Sequence, residues 1–472
     1  MPIAFQGIDK IYVKGYKSIV DETIQLRQIT VLAGANSSGK SSIMQPLLLL
    51  KQTLEEKSGI VPLRLDGENV YLTQYSQIRP RFEHARHNEF KIGVENYFLR
   101  ATSTFRYSEQ AQQIYIFETN FDLSPYARYS GRESYADIKF VLSEGMLPPE
   151  VQKVAVELGK YFRGINSDKL YELKKDSCFL SLRPNTSQDE KDGIPSGPDD
   201  TVRPAGSLSH DIRGVIHLSG VRGEPSRRLH PRRVITPLSA EDAPMYLFKG
   251  KFPDYTASLI AAWEQEKNGR IEQLTEYVQY LRLTTAVSTK YVDDSFLEIL
   301  VGWHPTEKPA EKEDMVNIAD VGCGVSQVLP ILVALIAATR SQTVYIEQPE
   351  IHLHPKASIA LAYVISKAVT DAAKRGVRVV IETHSDLLLL ALQTVIAKQV
   401  NESDLTPKNV ILYWFEKQSD GTTRIKEGVM DDYGDYGDWP EDFVGTAMAL
   451  QHEYLEAYFE RKNRKNMDGG VK

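Results

Sequence analysis

The segment that most constrains this chain lies between a strand-like run and a helix-like run near the N-terminus. Residues 34–41 read Gly-Ala-Asn-Ser-Ser-Gly-Lys-Ser and match the phosphate-binding loop pattern G-x-x-x-x-G-K-[ST]. Its two glycines allow a tight turn whose N–H groups point at an anion, and the following helix adds the positive end of its dipole. The pattern predicts a nucleoside triphosphate site, and a ligand-free glycine-serine turn is the alternative.

Within this loop each residue type has a chemical task. Lys40 would place a point charge beside the β- and γ-phosphates, and the Ser41 hydroxyl would be offered to Mg²⁺. Residues 47–50 belong to the buried helix that follows, which Pro46 should bend. The predicted nucleotide contacts of the loop are Asn36, Ser37, Ser38, Gly39, Lys40, Ser41 and Ser42.

Composition limits the class of protein. With 472 residues and 42% hydrophobic content, the chain is long enough for two or three cores, and we favour one nucleotide-binding head with a large insertion. A net charge of −7 argues against a uniformly basic DNA-coating protein. Cys178 and Cys323 lie far apart, which argues against disulfide scaffolds and zinc sites. Without a signal arrangement or a long apolar run, we expect a cytoplasmic protein without a membrane contact.

The arrangement of patterns along the chain predicts a split core. Alternating residues within 61–141 favour antiparallel strands, and 185–206 is rich in Pro, Gly, Asp and Ser, as in a mobile surface loop. A helical stretch at 256–283 precedes another strand pair. Residues 343–415 alternate between strand and helix, which is typical of a parallel sheet with helical crossovers.

We therefore expect an α/β protein whose core sheet is mostly parallel and is accompanied by an antiparallel β-lobe and a mixed α+β insertion. The predicted division is an N-terminal part of the head at 1–140, an insertion at 141–315 and a C-terminal part of the head at 316–472. No heptad pattern is sustained, so we expect no long coiled coil.

Two further strands end in polar residues that suit a phosphate site. The apolar run 343–346 ends in Glu347, a candidate for the magnesium shell. Gln348 follows where hydrolytic ATPases usually hold a glutamate, and an amide can orient water but cannot accept its proton, so hydrolysis would be slow, absent or dependent on another group. His384 follows a second strand and suits a γ-phosphate sensor, although a structural histidine is the alternative.

A glycine-rich segment precedes a long apolar run in the last third of the chain. Residues 320–327 read Asp-Val-Gly-Cys-Gly-Val-Ser-Gln, and a helix beginning there would present an anion-binding N-terminus. By itself the signal is weak, because a turn before a core helix has the same pattern. The candidate contacts are Gly322, Gly324, Ser326 and Gln327.

The order of phosphate loop, glycine-rich signature, acid-ending strand and histidine resembles that of ABC-type ATPases. Within them the chain resembles the RecF, SMC and OLD-like branch, since 11–19 is similar to its opening strand and 347–355 to its Walker B segment with the D-loop. Residues 217–223 and 437–443 are similar to bacterial ATPases with a C-terminal domain of unknown function. The resemblance covers both ends well and the middle only in patches.

This resemblance implies a head-to-tail pair in which each ATP lies between Lys40 of one copy and the 322–327 signature of the other. Gly322 stands where ABC proteins usually have a serine, so Ser326 or backbone donors would take over that contact. It also implies a glutamine that contacts Mg²⁺, for which Gln74 is our candidate and Gln77 the alternative.

Two arginine groups could meet nucleic acid phosphates or an acidic partner, or could simply be solvated. The groups are Arg222, Arg227, Arg228, Arg232 and Arg233 with His230, and Arg79, Arg81 and Arg86.

Resemblance to Septu, PARIS and OLD-like ATPases implies an ATP-gated switch of antiviral defence that controls a separate nuclease, because about 88 residues after His384 are too few for a TOPRIM nuclease domain. The alternative is a RecF-like ATPase that clamps DNA in repair or recombination; a membrane transporter's ATPase subunit fits poorly.

Overall fold

The computed structural model describes most of the chain outside the two termini and a number of interior gaps. The described residues are 7–56, 61–80, 82, 88–131, 133–135, 137–162, 170–184, 201–222, 225–232, 248–303, 314–373, 375–398, 405–431, 434–437 and 439.

The regular elements alternate between strand-rich and mixed regions. The strands are β1 (Ile8–Tyr16), β2 (Ile19–Gln25), β3 (Ile29–Gly34), β4 (Glu89–Asn96), β5 (Arg100–Ser108), β6 (Gln113–Asp122), β7 (Lys139–Ser143), β8 (Tyr171–Asp176), β9 (Phe179–Pro184), β10 (Ile216–Leu218), β11 (Val287–Asp293), β12 (Phe296–Gly302), β13 (Met315–Asn317), β14 (Thr343–Glu347), β15 (Arg378–Thr383), β16 (Val410–Lys417) and β17 (Thr423–Gly428). The helices are α1 (Lys40–Leu54), α2 (Ser124–Ser130), α3 (Pro148–Phe162), α4 (Gly206–Arg213), α5 (Thr256–Glu266), α6 (Arg270–Tyr280), α7 (Cys323–Ala337), α8 (Pro355–Ala373) and α9 (Asp386–Lys398).

A six-stranded, mostly parallel sheet forms the centre of the fold. Its strand order is β10-β14-β15-β3-β16-β17, with every pair parallel except the last. In register, Ile29 of β3 lies between Val379 of β15 and Val410 of β16. Because these strands run in one direction, the residues that follow β3, β14 and β15 meet at the same edge of the sheet.

Both faces of this sheet are buried, which explains the near-continuous apolar runs of its strands. Val379 and Ile381 of β15 pack into a cluster with α5 to α9. Val380 and Tyr345 point to the opposite face and pack into a second cluster with α1 and the antiparallel sheet. Strand alternation therefore places Glu382 and Glu347 on the face that α1 covers.

A second six-stranded sheet is antiparallel throughout and has the order β2-β1-β4-β5-β6-β7. Two smaller sheets, β11-β12-β13 and β8-β9, complete the fold. The predicted fold class, an α/β head with a mostly parallel core sheet and an antiparallel lobe, is confirmed. The longest described helix, α8, has 19 residues, so the described chain contains no long coiled-coil arm.

Several boundaries differ from the sequence analysis. The single helical stretch at 256–283 is two helices, because Lys267 and Gly269 adopt positive φ angles of 50° and 82° between them. Helix α1 continues through Pro46. Residues 61–80 form turns, a short 3-10 helix (Tyr75–Gln77) and an isolated bridge in place of the expected strands.

The division at residues 140 and 315 stays a prediction, although β10 of the expected insertion forms the edge of the parallel sheet. Val202, near the end of the expected mobile loop, bridges to Leu182. Residues 201–206 of that loop are described and Gly206 begins α4, whereas 185–200 and most of 437–443 lie outside the described residues. No helix within the described ranges is both long and apolar enough to cross a bilayer.

Buried polar groups join the two large sheets. The Arg378 guanidinium on β15 donates to the Asp9 carboxylate and the Ile8 carbonyl on β1. Nearby, Asn96 Nδ2 on β4 donates to Asp211 Oδ2 on α4 at 2.8 Å. Burial raises the pKa of Asp211 to about 6, against the opposing effect of the Asn96 hydrogen bond.

The unfolding free energy of Asp211→Asn, measured relative to wild type, should be higher at neutral pH than at acidic pH. The folded pKa of about 6 exceeds the reference value of 3.8, so the wild type loses stability as pH rises through that window. We expect the variant's advantage in unfolding free energy to grow by on the order of 2 kcal/mol between about pH 4.5 and about pH 7.5. Urea unfolding at both pH values measures this, and the exposed Asp294→Asn is the control. A pH-independent difference would contradict the assignment.

Candidate nucleotide-binding site

The predicted phosphate loop connects β3 directly to α1 at the carboxyl end of the parallel strands. Gly34, Ser37 and Gly39 have positive φ angles of 152°, 62° and 102°. A Cβ on Gly39 would lie 2.2 Å from Thr423 Oγ1, and one on Gly34 would lie 2.4 Å from the Phe415 carbonyl oxygen. The loop therefore requires glycine at both positions, for conformation and for space.

Lys40 lies inside this loop. Its Nζ donates to the carbonyl oxygens of Gly34 at 2.9 Å and Ala35 at 2.8 Å, and the residue is only 4% exposed. Burial lowers the pKa of Lys40, while the carboxylates of Glu382 and Glu350 act in the opposite direction. The Ser38 Oγ atom is buried and has no hydrogen-bond partner within the described residues.

A cavity of about 670 Å³ opens beside the loop. This volume lies within the range of small-ligand sites. Segments from both ends of the chain form it: the β1–β2 turn, the loop with the start of α1, the turn before β4, the end of β15 and the β16–β17 turn. The lining residues outside the loop are Lys17, Ser18, Gln45, Gln77, Arg79, Phe82, Glu382, Lys417 and Gly421.

The Ser41 hydroxyl contacts a carboxylate that the sequence analysis did not single out. Ser41 Oγ donates to Glu382 Oε1 at 2.8 Å, and the hydroxyl of the fully buried Tyr345 donates to Glu382 Oε2 at 2.6 Å. Burial raises the pKa of Glu382, and the charge of Glu347 adds to the increase. The sequence signal was the same as for Glu347, an acid that ends an apolar strand.

Glu347 is held on the side of the sheet edge towards β10. Its Oε1 lies 3.1 Å from His217 Nε2, and its Oε2 accepts from the Gly220 N–H at 2.9 Å. Burial raises the pKa of Glu347, but the contacts with His217 and the hydrogen bond from the Gly220 N–H outweigh it, so the net pKa is lowered. Glu347 is thus an ionised carboxylate whose two oxygens already have partners.

Gln348 begins the turn after β14 with a left-handed φ of 44°. Its N–H donates to the Glu382 carbonyl at 2.7 Å, and its own carbonyl accepts from Arg222 Nη2 at 3.1 Å. Arg222 also donates to the Glu347 carbonyl, and burial lowers its pKa to about 10. Arg222 thus clamps the turn that carries Gln348, a role that the sequence analysis missed.

His384 lies just beyond β15 at the same edge, as predicted. Its side chain is 42% exposed, and its Nδ1 lies 3.8 Å from Glu350 Oε1. Thr383 Oγ1 donates to the same Glu350 oxygen at 2.6 Å. The structure therefore brings His384, Glu382 and the phosphate loop to one edge, and the role of His384 as a sensor stays a prediction.

The glycine-rich signature forms the N-terminus of α7. Gly322 is the N-cap without a side-chain cap, and Cys323 is exposed. Ser326 Oγ donates to the Cys323 carbonyl at 3.0 Å, and both Ser326 and Gln327 are buried. Either Ser326 or backbone donors were expected to replace the nucleotide contact that a serine makes in ABC proteins. The geometry disfavours Ser326 and favours the backbone donors around Gly324.

The two glutamines proposed for the metal differ in position. Gln77 lines the cavity beside the phosphate loop, whereas Gln74 lines a neighbouring cavity beside Tyr75 and Tyr107. The Oε1 atom of Gln77 accepts from the Thr73 and Gln74 N–H groups. Gln77 therefore lines the same cavity as the phosphate loop, unlike our candidate Gln74, but the Oε1 atom that would bind a cation already accepts two backbone N–H groups.

The larger arginine group is not one basic patch. Arg227 pairs with Asp320, Arg232 with Asp254, and Arg228 lies 4.0 Å from Glu298. Arg222 is turned inward to the carbonyls described above. Arg81, Arg86 and Arg233 lie outside the described residues.

A family model described as "AAA domain, putative AbiEii toxin, Type IV TA system" matches residues 29–391, from the first residue of β3 into α9. The chain belongs to this family. The resemblance to ABC-type ATPases drawn from the motifs is thereby confirmed, and an ATPase domain of this kind implies ATP binding. No curated protein matches the chain significantly.

Among solved structures, the chain of this AAA-domain protein is similar to three SMC heads. The first is the SMC head bound to the C-winged helix domain of ScpA, with 12% identity over 89% of this chain and 97% of that chain and a TM-score of 0.39. The second is the SMC head domain from Thermotoga maritima, with 10% identity over 89% of this chain and 98% of that chain and a TM-score of 0.33. The third is the Smc head domain with an extended coiled coil bound to the C-terminal domain of ScpA derived from Pyrococcus furiosus, with 11% identity over 89% of this chain and 96% of that chain and a TM-score of 0.36.

Gly39→Ala should weaken ATP binding by about tenfold or more, because a methyl group there displaces the loop from Thr423. Gly131→Ala is a matched control, since Gly131 also has a positive φ of 67° but open space around its Cβ position. Titration with a fluorescent ATP analogue measures both variants. Equal affinities in the two variants would mean that the loop does not hold the nucleotide.

Proposed function

We propose that this chain binds ATP with Mg²⁺ at the cavity beside Gly39–Ser42 and that a second copy closes the site. The ATP-bridged pair would act as the switch of an antiphage defence system and control a separate nuclease. The observation that carries the proposal is the phosphate loop itself, with Lys40 and Ser41 at the edge where β15 ends.

Closure by a second copy is supported by the separation of two anion-binding elements. The N-terminus of α7 presents exposed Gly322 and Cys323 and has no side-chain cap. Residues 322–327 do not contribute to the lining of the cavity beside Lys40. In this proposal the triphosphate contacts both elements by lying between two copies, where the α7 dipole and the N–H groups of its first turn meet the phosphates.

Gln348 supports a protein that controls a partner over one that hydrolyses ATP rapidly. An amide at this position holds water without accepting its proton, which favours a long-lived ATP state. In this proposal Glu347 polarises the turn that carries Gln348, and His384 senses the γ-phosphate. The family description, with its toxin and type IV toxin–antitoxin terms, supports a defence setting.

Direct DNA clamping has less support, because Arg227 and Arg232, among the described arginines of the larger group, are paired with carboxylates, and Arg222 is turned inward. The two proposed functions predict different results when the protein is purified. A small nuclease that copurifies with a protein lacking DNA affinity supports the switch, whereas salt-dependent retention of DNA by the isolated protein supports the clamp.

Lys40→Ala should abolish ATP binding and ATP-dependent pairing together, because the phosphates lose their buried counter-charge. Sedimentation velocity with and without a non-hydrolysable ATP analogue measures pairing, and a fluorescent analogue measures binding. Lys426→Ala is the control, since Lys426 pairs with Glu416 on the exposed side of β17. Pairing that persists in Lys40→Ala at saturating nucleotide would refute the proposed role of ATP.

Gln348→Glu should raise ATP turnover by about tenfold or more, because it supplies a base of the same shape at the same position. A coupled phosphate-release assay measures the rate, and Gln113→Glu on the exposed part of β6 controls for added charge. An unchanged rate in Gln348→Glu would show that geometry other than the missing base limits hydrolysis.

A further inference from the structure

Two carboxylates end neighbouring strands of the parallel sheet, and they differ in what they contact. Glu382 and Glu347 are paired in register across β15 and β14, and both face α1. β15 pairs directly with β3, whereas β14 lies one strand further away. Since neighbouring strands are about 4.8 Å apart, the backbone of Glu382 lies closer than that of Glu347 to the phosphate loop by about one strand spacing.

The contacts follow this difference. Glu382 Oε1 accepts from the Ser41 hydroxyl at 2.8 Å. The two oxygens of Glu347 are occupied by His217 Nε2 and the Gly220 N–H, at 3.1 and 2.9 Å. His217 is itself held in place, because its ring stacks on Tyr345 and its Nδ1 lies 3.2 Å from Asn69 Oδ1.

We propose that Glu382, in place of Glu347, is the carboxylate that orients Ser41 as a ligand of the divalent cation accompanying ATP. The proposal rests on the proposed function, since it assigns the cation shell of that same site. Glu347 keeps His217 and Gly220 as partners and acts on the turn that carries Gln348.

The donor chemistry fits a hard cation. A serine hydroxyl can donate its proton to Glu382 while it offers a lone pair to a metal, so the Ser41–Glu382 bond need not break on binding. Mg²⁺ prefers oxygen ligands and is commonly bound through one or two carboxylates, phosphate oxygens and water. Tyr345, fully buried, fixes the other oxygen of Glu382 at 2.6 Å and so sets the orientation of the carboxylate.

The test compares the affinity of the full-length protein for a fluorescent ATP analogue in Mg²⁺ and in EDTA. The ratio of the two affinities measures how strongly the cation couples to nucleotide binding. Glu382→Gln should lower that ratio by about tenfold, with unchanged or slightly higher affinity in EDTA because a like charge near the phosphates is removed. Glu347→Gln should leave the ratio within about twofold of wild type.

A second variant covers the case in which Glu382→Gln does not fold. Ser41→Ala removes the hydroxyl that Glu382 orients, and it should lower the Mg²⁺ ratio to the same extent. If both variants fold, the double variant should lose no more than either single one, since both residues act on one cation. Electron paramagnetic resonance of Mn²⁺ with the ATP analogue gives a readout of the cation itself, and Glu416→Gln on β16 is the control.

The outcomes separate this inference from the proposed function. A ratio that falls in Glu347→Gln and not in Glu382→Gln, that falls equally in both, or that falls in neither would overturn the assignment of Glu382 while ATP binding stands. A wild-type protein that binds no ATP in Mg²⁺ or in EDTA would overturn the proposed function, and the assignment with it.

Discussion

The parallel pairing of β3 with β15 and β16 is the constraint on which the site depends. The Ser41–Glu382 hydrogen bond joins residues 341 positions apart, and the Ser18–Thr423 hydrogen bond joins residues 405 positions apart. Parallel neighbours need crossover connections, and the cost of closing a loop grows only slowly with its length. A large intervening region is therefore compatible with a compact phosphate site, provided that the central strands remain buried on both faces.

Within this frame, one edge of the sheet gathers the chemistry. The phosphate loop follows β3, Glu347 and Gln348 end β14, and Glu382 to His384 end β15. Contacts extend across these ends: Ser41 and Tyr345 both donate to Glu382, and the Tyr345 ring stacks on His217, which contacts Glu347. The N–H of Gln348 donates to the Glu382 carbonyl, so the turn after β14 is fixed to the end of β15.

The sequence predicted the elements with strong local signals. β14 ends at Glu347 as expected, and residues 343–415 alternate between strand and helix as expected, because an apolar run bounded by polar residues is unambiguous. The expected placement of His384 also agrees with the structure.

Features set by packing could not be read from the sequence. β10 has three residues, too few for a periodic signal, yet it supplies His217 to Glu347. The inward turn of Ser326 is fixed by a bond within α7, and the partners of the arginine group come from distant segments. Which of two strand-ending acids reaches Ser41 depends on strand order in the sheet, a tertiary property.

The central claim is that one triphosphate is held by segments from both ends of the chain and completed by a second copy. An experimental structure with Mg²⁺ and a non-hydrolysable ATP analogue tests it most directly. The account predicts phosphate density at Lys40 and Ser41, the α7 N-terminus of a second copy against the γ-phosphate, and the rest of the nucleotide in the cavity near Lys17 and Lys417. Nucleotide density remote from Lys40, or a nucleotide fully enclosed by a single copy, would contradict it.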